Sequence, residues 1–246
     1  MSLPSRSAPW LCVLAIACAA CGDVGPVREG AKTPPAESGA PTSVLPASTS
    51  ASTSDRRPRV VVLGDSLTAG LGLDPAEAYP TLLQRQLDAA GLPYRVVNAG
   101  VSGDTSAGGA SRLDLALEGD VRVLLVALGG NDALRALPVA ELRKNLAQII
   151  ERAQARGVRV MLAGMEAPPN FGQDYVAAFR DVYGSLSKEY AVPLLPFLLD
   201  GVAGIDRLNQ RDGIHPTAEG ARVVADRVWP VLEPLVRADA KRMARR

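Results

Sequence analysis

A serine and the only histidine of the chain stand in short polar segments that could together carry nucleophilic catalysis. Ser66 lies in Gly64-Asp65-Ser66-Leu67, and His215 lies in Asp212-Gly213-Ile214-His215-Pro216. A serine hydroxyl is a weak nucleophile until a base takes its proton, and a histidine oriented by a carboxylate can serve as that base. The proline after the histidine favours an extended loop, in which Asp212 can reach Nδ1 and leave Nε2 for the serine. The spacing therefore predicts a Ser–His–Asp triad.

Two further polar segments offer hydrogen-bond donors for an oxyanion. They are Asn98-Ala99-Gly100-Val101-Ser102-Gly103 and Gly129-Gly130-Asn131-Asp132. Acyl transfer needs donors aimed at the developing negative charge, and a glycine N–H and an asparagine amide are suitable. Simpler explanations exist, since Asn131 could cap a turn and Gly103 could be needed only for a positive φ. Asp132 is an alternative triad acid, although the carboxylate three residues before the histidine is better placed.

The elements that must position these segments are short aliphatic runs that alternate about five times with longer amphipathic stretches. Strands are predicted at 60–63, 94–98, 121–128, 158–163 and 192–195. Helices are predicted at 76–90, 105–118, 139–156, 173–190 and 217–236, and Pro230 is expected to bend or break the last one. This alternation predicts an α/β fold with a parallel sheet between two helical layers, and sites in such sheets form at the carboxyl ends of the strands.

Taken in order, the four segments resemble the motifs of the SGNH hydrolases, also called GDSL esterases. The likeness runs over residues 60–235, includes Ser102-Gly103-Asp104-Thr105-Ser106, and is greatest to the bacterial thioesterase I / lysophospholipase L1 / arylesterase branch. The resemblance implies the SGNH hydrolase fold, a three-layer α/β/α sandwich around a flavodoxin-like parallel sheet of about five strands.

The resemblance also implies a role for each site residue. Ser66 is the nucleophile, and its own N–H is one oxyanion donor. The Gly103 N–H and the Asn131 side chain are the other two donors. His215 is the base and Asp212 is its partner. This machinery needs neither a metal nor an organic cofactor.

One position departs from the pattern of the relatives. Glu166 precedes Ala167-Pro168-Pro169, where similar proteins tend to carry a basic or neutral residue. This departure bears on the substrate contacts of that loop and not on the chemistry.

The composition excludes several other classes of protein. The chain has 246 residues, a net charge of +1 and 47% hydrophobic residues, which suits one sizeable domain with appendages. There is no basic stripe of the kind that binds nucleic acid. The three cysteines are Cys12, Cys18 and Cys21, so the later chain can form no disulfide or thiolate metal site, and one histidine excludes a multi-histidine metal site. The patterns Gly-x-Ser-x-Gly and Gly-x-Gly-x-x-Gly are absent, which argues against an α/β-hydrolase elbow and a dinucleotide site.

Residues 1–21 are predicted to be a signal peptide. An apolar run at 10–20 follows Arg6 and is shorter than the roughly 20 residues that span a bilayer. It ends in Cys18-Ala19-Ala20-Cys21-Gly22, which resembles the lipobox of bacterial lipoproteins, although Cys18 stands where leucine is usual. The resemblance implies acylation of Cys21. Cleavage before Cys18, or an ordinary signal peptide without a lipid, are the alternatives.

Three further expectations concern the organisation of the chain and its location. Residues 22–58 are rich in Pro, Ala, Ser, Thr and Gly, and are predicted to be a disordered tether with a span of roughly 30 Å. Residues 59–237 form the hydrolase domain, and the basic tail at 238–246 is expected to be frayed. The protein is expected to cross the bacterial inner membrane and, as a lipoprotein, to face the periplasm or the cell exterior.

The predicted function is hydrolysis of carboxylic esters or thioesters through an acyl-enzyme. The expected substrate is a small ester, a thioester or a lysophospholipid, with no obligate protein partner. A carbohydrate or peptidoglycan O-acetylesterase is the alternative enzyme, since the fold and triad would be the same. A lipid-anchored binding protein with a relic site is the alternative outside enzymes, and the presence of every predicted catalytic residue argues against it.

Overall fold

The computed structural model describes residues 56–245, which form a parallel sheet with helices on both faces. The strands are β1 Arg59–Gly64, β2 Arg95–Gly100, β3 Val121–Ala127, β4 Arg159–Ala163 and β5 Leu194–Leu195. The helices are α1 Ser66–Ala69, α2 Tyr79–Ala89, α3 Ser106–Ser111, α4 Leu113–Ala116, α5 Gly130–Leu134, α6 Val139–Ala155, α7 Gln173–Tyr190 and α8 Ala218–Met243. The predictions for the signal peptide, for Cys21 and for the linker up to residue 55 lie outside the described residues.

The sheet has the strand order β2-β1-β3-β4-β5, and every neighbouring pair is parallel. The central strands β1 and β3 are aliphatic and almost wholly buried, as strands covered on both faces must be. The order reverses direction between β1 and β3. In open parallel sheets a ligand crevice forms outside the carboxyl ends at such a point. The predicted α/β fold is confirmed, and its crevice lies where β1 and β3 end.

The helices form two layers. Helices α2 and α8 pack together on one side, and α3, α6 and α7 pack in a row on the other. Helix α6 turns one apolar face to the sheet; its buried residues are Leu142, Leu146, Ile149, Ile150 and Ala153. Helix α7 has the bounds that the sequence predicts. None of the helices between residues 56 and 245 combines the length and the hydropathy of a bilayer-spanning segment.

The single helix predicted at 105–118 is wrong, because the segment forms two short helices that are separated at Arg112. Arg112 leaves the helical conformation, with φ −102° and ψ 10°. Gly108 and Gly109 lower the helical propensity of the segment. The break also lets the Arg112 side chain reach the ends of two strands, where it becomes part of the site.

The last helix does not end at residue 236, and the expectation of a frayed tail is wrong for residues 238–243, which are helical. Helix α8 continues through Pro230 and Pro234 to Met243. Both prolines lie on the exposed face, where water can satisfy the carbonyl groups that lose their helical partner. The opposite face is buried along the whole length of the helix, and this packing outweighs the cost of the prolines.

A buried carboxylate fixes the far end of α8. Asp239 is 0% exposed and accepts hydrogen bonds from the Tyr94 hydroxyl at 3.0 Å and from Arg242 Nη2 at 2.9 Å. Arg159 Nε lies 3.6 Å from the same carboxylate. Buried charges of this kind are retained only when they are paired, and here the pairing joins α8 to the entry of β2 and to β4.

We expect Asp239→Ala to lower the free energy of unfolding by about 3 kcal/mol, because it leaves a buried hydroxyl and two partly exposed guanidinium groups without their acceptor. The matched control on the same helix is Glu233→Ala, which removes only a surface pair with Arg237 and should cost no more than about 0.5 kcal/mol. Urea unfolding of the two variants measures the difference. Equal free energies of unfolding for the two variants would show that the contacts of Asp239 contribute little to the stability of the fold.

Candidate active site

Ser66 and His215 meet at the carboxyl edge of the sheet. Ser66 is the first residue of α1, directly after β1, and His215 lies in the loop before α8. The His215 Nε2 atom is 2.8 Å from Ser66 Oγ, although the two residues are 149 positions apart in the chain. The other ring nitrogen, Nδ1, is 2.7 Å from Asp212 Oδ2. The three predicted triad residues therefore form one continuous hydrogen-bonded chain.

Asp212 fixes the tautomer of the histidine. Its Oδ1 accepts hydrogen bonds from the backbone N–H groups of Ile214 at 2.9 Å and His215 at 3.0 Å. These bonds, together with the bond to the ring, lower the pKa of Asp212 to about 2, so the carboxylate is ionised at neutral pH. An ionised carboxylate can only accept, so Nδ1 carries the hydrogen of a neutral ring. Nε2 is then free to accept the Ser66 proton.

The loop that carries His215 is held by backbone pairing rather than by the triad alone. Asn209 and Pro216 form an antiparallel bridge, and the Gln210 N–H donates to the His215 carbonyl at 2.7 Å. The Gln210 side chain donates to the carbonyl groups of Pro216 and Leu71, at 2.9 and 2.7 Å. The loop is thus hydrogen-bonded to the segment that directly follows α1, and α1 is the helix that begins with Ser66.

Asn131 lies beside Ser66 but its amide is already engaged. It stands near the start of α5, directly after β3, and lines the same cleft as Ser66 and His215. Its Nδ2 atom donates to the Asp104 carbonyl at 2.9 Å and to Asp65 Oδ2 at 3.3 Å. The role of this amide as an oxyanion donor stays a prediction.

Gly103 lies on the rim of the site rather than inside it. It is exposed, with φ +84°, and its carbonyl accepts a hydrogen bond from Arg135 Nη2 at 2.9 Å. Among the described residues Gly103 is not part of the cleft lining. The carbonyl group of its neighbour Asp104 accepts a hydrogen bond from the Asn131 amide, so the Gly103 loop contacts a residue of the cleft lining, and the role of Gly103 as an oxyanion donor stays a prediction. The positive φ is a conformation that glycine adopts readily.

Asp132, the alternative triad acid, does not contact the histidine. Its carboxylate is buried and accepts hydrogen bonds from the Ser106 hydroxyl at 2.5 Å and from the Ser106 N–H at 2.8 Å. Asn145 donates to the same hydroxyl at 3.0 Å. Asp132 therefore joins α5 to the start of α3, and Asp212 is the only carboxylate hydrogen-bonded to His215 among residues 56–245.

Two residues that position the site, Arg112 and Asp65, are not predicted by the sequence. The Arg112 guanidinium donates to the Gly64 carbonyl at 2.8 Å, to the Ala99 carbonyl at 2.7 Å and to Asp104 Oδ2 at 2.6 Å. It thus joins the ends of β1 and β2 to the loop that accepts the Asn131 amide. An arginine within a helical pattern gives no sequence signal for this role.

Asp65 is the second of these positioning residues. Its carboxylate is next to Ser66 in the chain, and the residue is only 2% exposed. Its Oδ1 accepts the Leu67 N–H at 3.0 Å and so caps α1. Burial raises the pKa of Asp65 to about 6, and the hydrogen bonds from Leu67 and Asn131 offset this rise only in part. The position of Asp65 next to Ser66 in the chain is the only sequence signal for it.

The cleft at the site has a volume of about 380 Å³ and is mostly apolar. Its larger apolar side chains are Leu134, Met165, Phe197, Leu199 and Ile214. Glu166 and Asp65 are the carboxylates in the lining, and no lysine or arginine is part of it among the described residues. Within residues 56–245, His, Cys, Asp and Glu side chains form no group of three or more that could hold a metal ion.

Comparison with known proteins assigns the family. The pattern of the GDSL-like Lipase/Acylhydrolase family matches residues 62–223. Esterase TesA of Pseudomonas aeruginosa is 44% identical over 178 residues, which cover 72% of this chain and 89% of TesA. Thioesterase 1/protease 1/lysophospholipase L1 of Escherichia coli is 38% identical over 182 residues, covering 74% and 86%. The arylesterase of Vibrio mimicus is 34% identical over 169 residues, covering 68% and 84%.

The same likeness holds in three dimensions. A crystal structure of TesA matches with a TM-score of 0.69 and 44% identity, over 72% of this chain and 99% of that one. The chain therefore belongs to the GDSL-like lipase/acylhydrolase family, in the branch of TesA, thioesterase I and the arylesterases. It is a carboxylic ester hydrolase, and the predictions of the family, the SGNH fold and the ester hydrolase are confirmed.

The raised pKa of Asp65 predicts how stability depends on pH. The carboxylate ionises near pH 4 in the unfolded chain and near pH 6 in the folded one, so the folded state is penalised progressively as the pH rises between these values. Asp65→Asn keeps a cap for α1 and cannot ionise. The melting temperature of Asp65→Asn minus that of the wild type should therefore increase as the pH rises from 4 to 7.

Thermal unfolding at several pH values measures this difference. Asp181→Asn, which removes an exposed carboxylate on α7, is the matched control and should show a much smaller change. A flat difference for Asp65→Asn would mean that the buried carboxylate is not destabilised by its surroundings.

Proposed function

We propose that the enzyme hydrolyses esters in two steps, with Ser66 as nucleophile, His215 as base and Asp212 as its partner. The hydrogen-bonded chain from Ser66 Oγ through the imidazole to Asp212 carries this proposal, with its contacts of 2.8 and 2.7 Å. Ser66 Oγ bonds to the acyl carbon while its proton passes to Nε2. The imidazolium gives that proton to the leaving alcohol or thiol as its bond to the acyl carbon breaks. Water, deprotonated by His215, then bonds to the acyl carbon; the bond to Ser66 Oγ breaks, the imidazolium returns the proton to Oγ, and the acid leaves.

The oxyanion of each tetrahedral intermediate is proposed to rest on three donors. The Ser66 N–H belongs to the first residue of α1, so it has no acceptor within that helix. The Asn131 amide lines the same cleft, and the Gly103 N–H belongs to the loop that this amide contacts through Asp104. Each donor strengthens its bond as the carbonyl oxygen becomes negative, which favours the transition state over the substrate.

We expect Ser66→Ala to abolish hydrolysis of p-nitrophenyl esters and labelling by a fluorophosphonate probe, because both need the activated hydroxyl. Ser102→Ala changes an exposed serine outside the triad and should keep both. Steady-state assays and mass spectrometry of the labelled protein measure the outcome. Retained hydrolysis in Ser66→Ala would refute the mechanism, and an unlabelled wild type would support the relic-site alternative.

The proposed substrate is an ester or thioester with an apolar acyl chain longer than acetyl. The cleft of about 380 Å³ has apolar walls, and burying a methylene group there contributes about 0.8 kcal/mol. The names of the relatives include an esterase, a thioesterase, an arylesterase and a lysophospholipase, which supports the same range of substrates. An acetyl group would leave most of the cleft empty, so the O-acetylesterase alternative fits less well.

Glu166 is proposed to select against anionic leaving groups. It is exposed on the wall of the cleft and forms no ion pair within residues 56–245. Among the described residues the cleft lining itself contains no cationic side chain, and the cations in the lining of the adjoining pocket, Arg180 and Lys188, lie outside this cleft. A polyanionic leaving group such as coenzyme A would therefore enter a negative field, whereas a neutral or cationic one would not.

A substrate series tests both parts of this proposal. We expect kcat/KM for p-nitrophenyl esters to rise from acetyl to hexanoyl by up to about fourfold per methylene. A coenzyme A thioester should be a poorer substrate than a neutral thioester of the same acyl group. Acetylated glycans preferred over hexanoyl esters would favour the O-acetylesterase instead.

Glu166→Gln is the matched variant for the charge effect. It should improve kcat/KM for the coenzyme A thioester by up to about fivefold and leave the neutral thioester nearly unchanged. Equal changes for both thioesters would remove the proposed role of Glu166.

The location of the enzyme is part of the proposal. A lipid on Cys21 and the linker at 22–58 would hold the domain near a membrane, facing the periplasm or the cell exterior. The support is the lipobox-like sequence that ends the apolar run. Metabolic labelling with a fatty-acid analogue tests it, and incorporation should be lost in Cys21→Ser.

A further inference from the structure

The side-chain amide of Asn131 has no hydrogen left for an oxyanion in the structure described above. An asparagine NH₂ group donates two hydrogen bonds. One goes to the Asp104 carbonyl at 2.9 Å and the other to Asp65 Oδ2 at 3.3 Å. If this amide stabilises the oxyanion, one of the two acceptors must yield when the tetrahedral intermediate forms.

The two acceptors are not equally strong. The bond to Asp104 has a typical length, and the Asp104 loop is held by Arg112 through a contact of 2.6 Å. The bond to Asp65 is longer than the usual range for N–H···O bonds. It is therefore the bond that costs less to break, and Asp65 is the acceptor that yields.

The surroundings of Asp65 favour such a role. The carboxylate is buried, caps α1 through Leu67 and forms no ion pair within residues 56–245. Gly130 makes its approach to Asn131 possible, because a Cβ at that position would lie 3.1 Å from Asp65 Oδ2 and 3.3 Å from Met165 Cε. A buried carboxylate that has no ion-pair partner among the described residues thus accepts a hydrogen bond from the amide that the mechanism needs.

We propose that Asp65 is a positioning residue, which aims the Asn131 amide in the resting enzyme and passes its hydrogen bond to the oxyanion during catalysis. The Asn131 N–H exchanges one acceptor for another, and no covalent bond or proton transfer is involved. The bond to Asp104 stays in place and keeps the amide from rotating away. This inference rests on the proposed function, since it assumes that Asn131 is an oxyanion donor.

A double-mutant cycle in the full chain separates this role from a merely structural one. Asp65→Asn keeps the cap on Leu67 but sets an NH₂ group against the Asn131 amide. It should lower kcat for p-nitrophenyl butyrate by about ten- to hundredfold with little change in KM, because a misdirected Asn131 amide no longer reaches the oxyanion, whereas substrate binding does not use this amide. In an Asn131→Ala background the same change should alter kcat less than about twofold.

Glu166→Gln is the control, because Glu166 lines the cleft without a hydrogen bond to Asn131. Its effect on kcat should multiply with that of Asn131→Ala. Asp65→Ser, which can cap Leu67 but cannot reach Asn131, takes the place of Asp65→Asn if the latter fails to fold, as judged by circular dichroism.

The outcomes distinguish the inference from the function on which it rests. Asn131→Ala alone should lower kcat by about 10²–10³-fold. If it does not, the oxyanion role of Asn131 fails and the inference fails with it. If it does, but the effects of Asp65→Asn and Asn131→Ala multiply, the hydrolytic mechanism stands and the positioning role of Asp65 is overturned.

Discussion

The proposed chemistry of this enzyme depends on one 2.8 Å contact between an imidazole and a hydroxyl that are 149 residues apart. Such a contact needs both partners to be held independently of each other. Ser66 is held because it follows β1, the strand that pairs with two neighbours in the middle of the sheet. His215 is held by the bridge between Asn209 and Pro216 and by the carboxylate of Asp212. The packing of the sheet and helices holds these two parts of the chain at a fixed distance from each other.

Buried carboxylates hold much of the structure around that contact, and each does something different. Asp132 joins two helices through Ser106, and Asp239 pins the end of α8 to the sheet. Asp65 has weaker compensation, since it faces one backbone N–H and one long bond to Asn131. Burying a charge with little compensation opposes folding, and such groups concentrate where function requires them. The poorly compensated carboxylate of this domain lies beside its nucleophile.

The sequence was sufficient for the triad because the residue types are rare and their order is informative. A single histidine leaves one choice of base, and an aspartate three residues earlier can be judged from local geometry alone. Helix α7 was also predicted to the residue, since its pattern is long and regular. The break at Arg112 and the length of α8 were missed, because tertiary contacts decide them against local propensity. Arg112 and Asp65 act on partners that are distant in sequence, and no spacing rule reveals such pairs.

Helix α8 begins three residues after the catalytic histidine and ends on the buried carboxylate at the opposite edge of the sheet. Its 26 residues make a rod of about 39 Å. Because one face of the helix is buried along this whole length, the helix joins the loop of His215 to the remote edge as a single packed element. The contacts of Asp239 with Tyr94 and Arg242 therefore fix one end of an element whose other end adjoins the loop of His215. None of these far-end residues lines the cleft, so part of the framework that carries the histidine loop lies well away from the substrate.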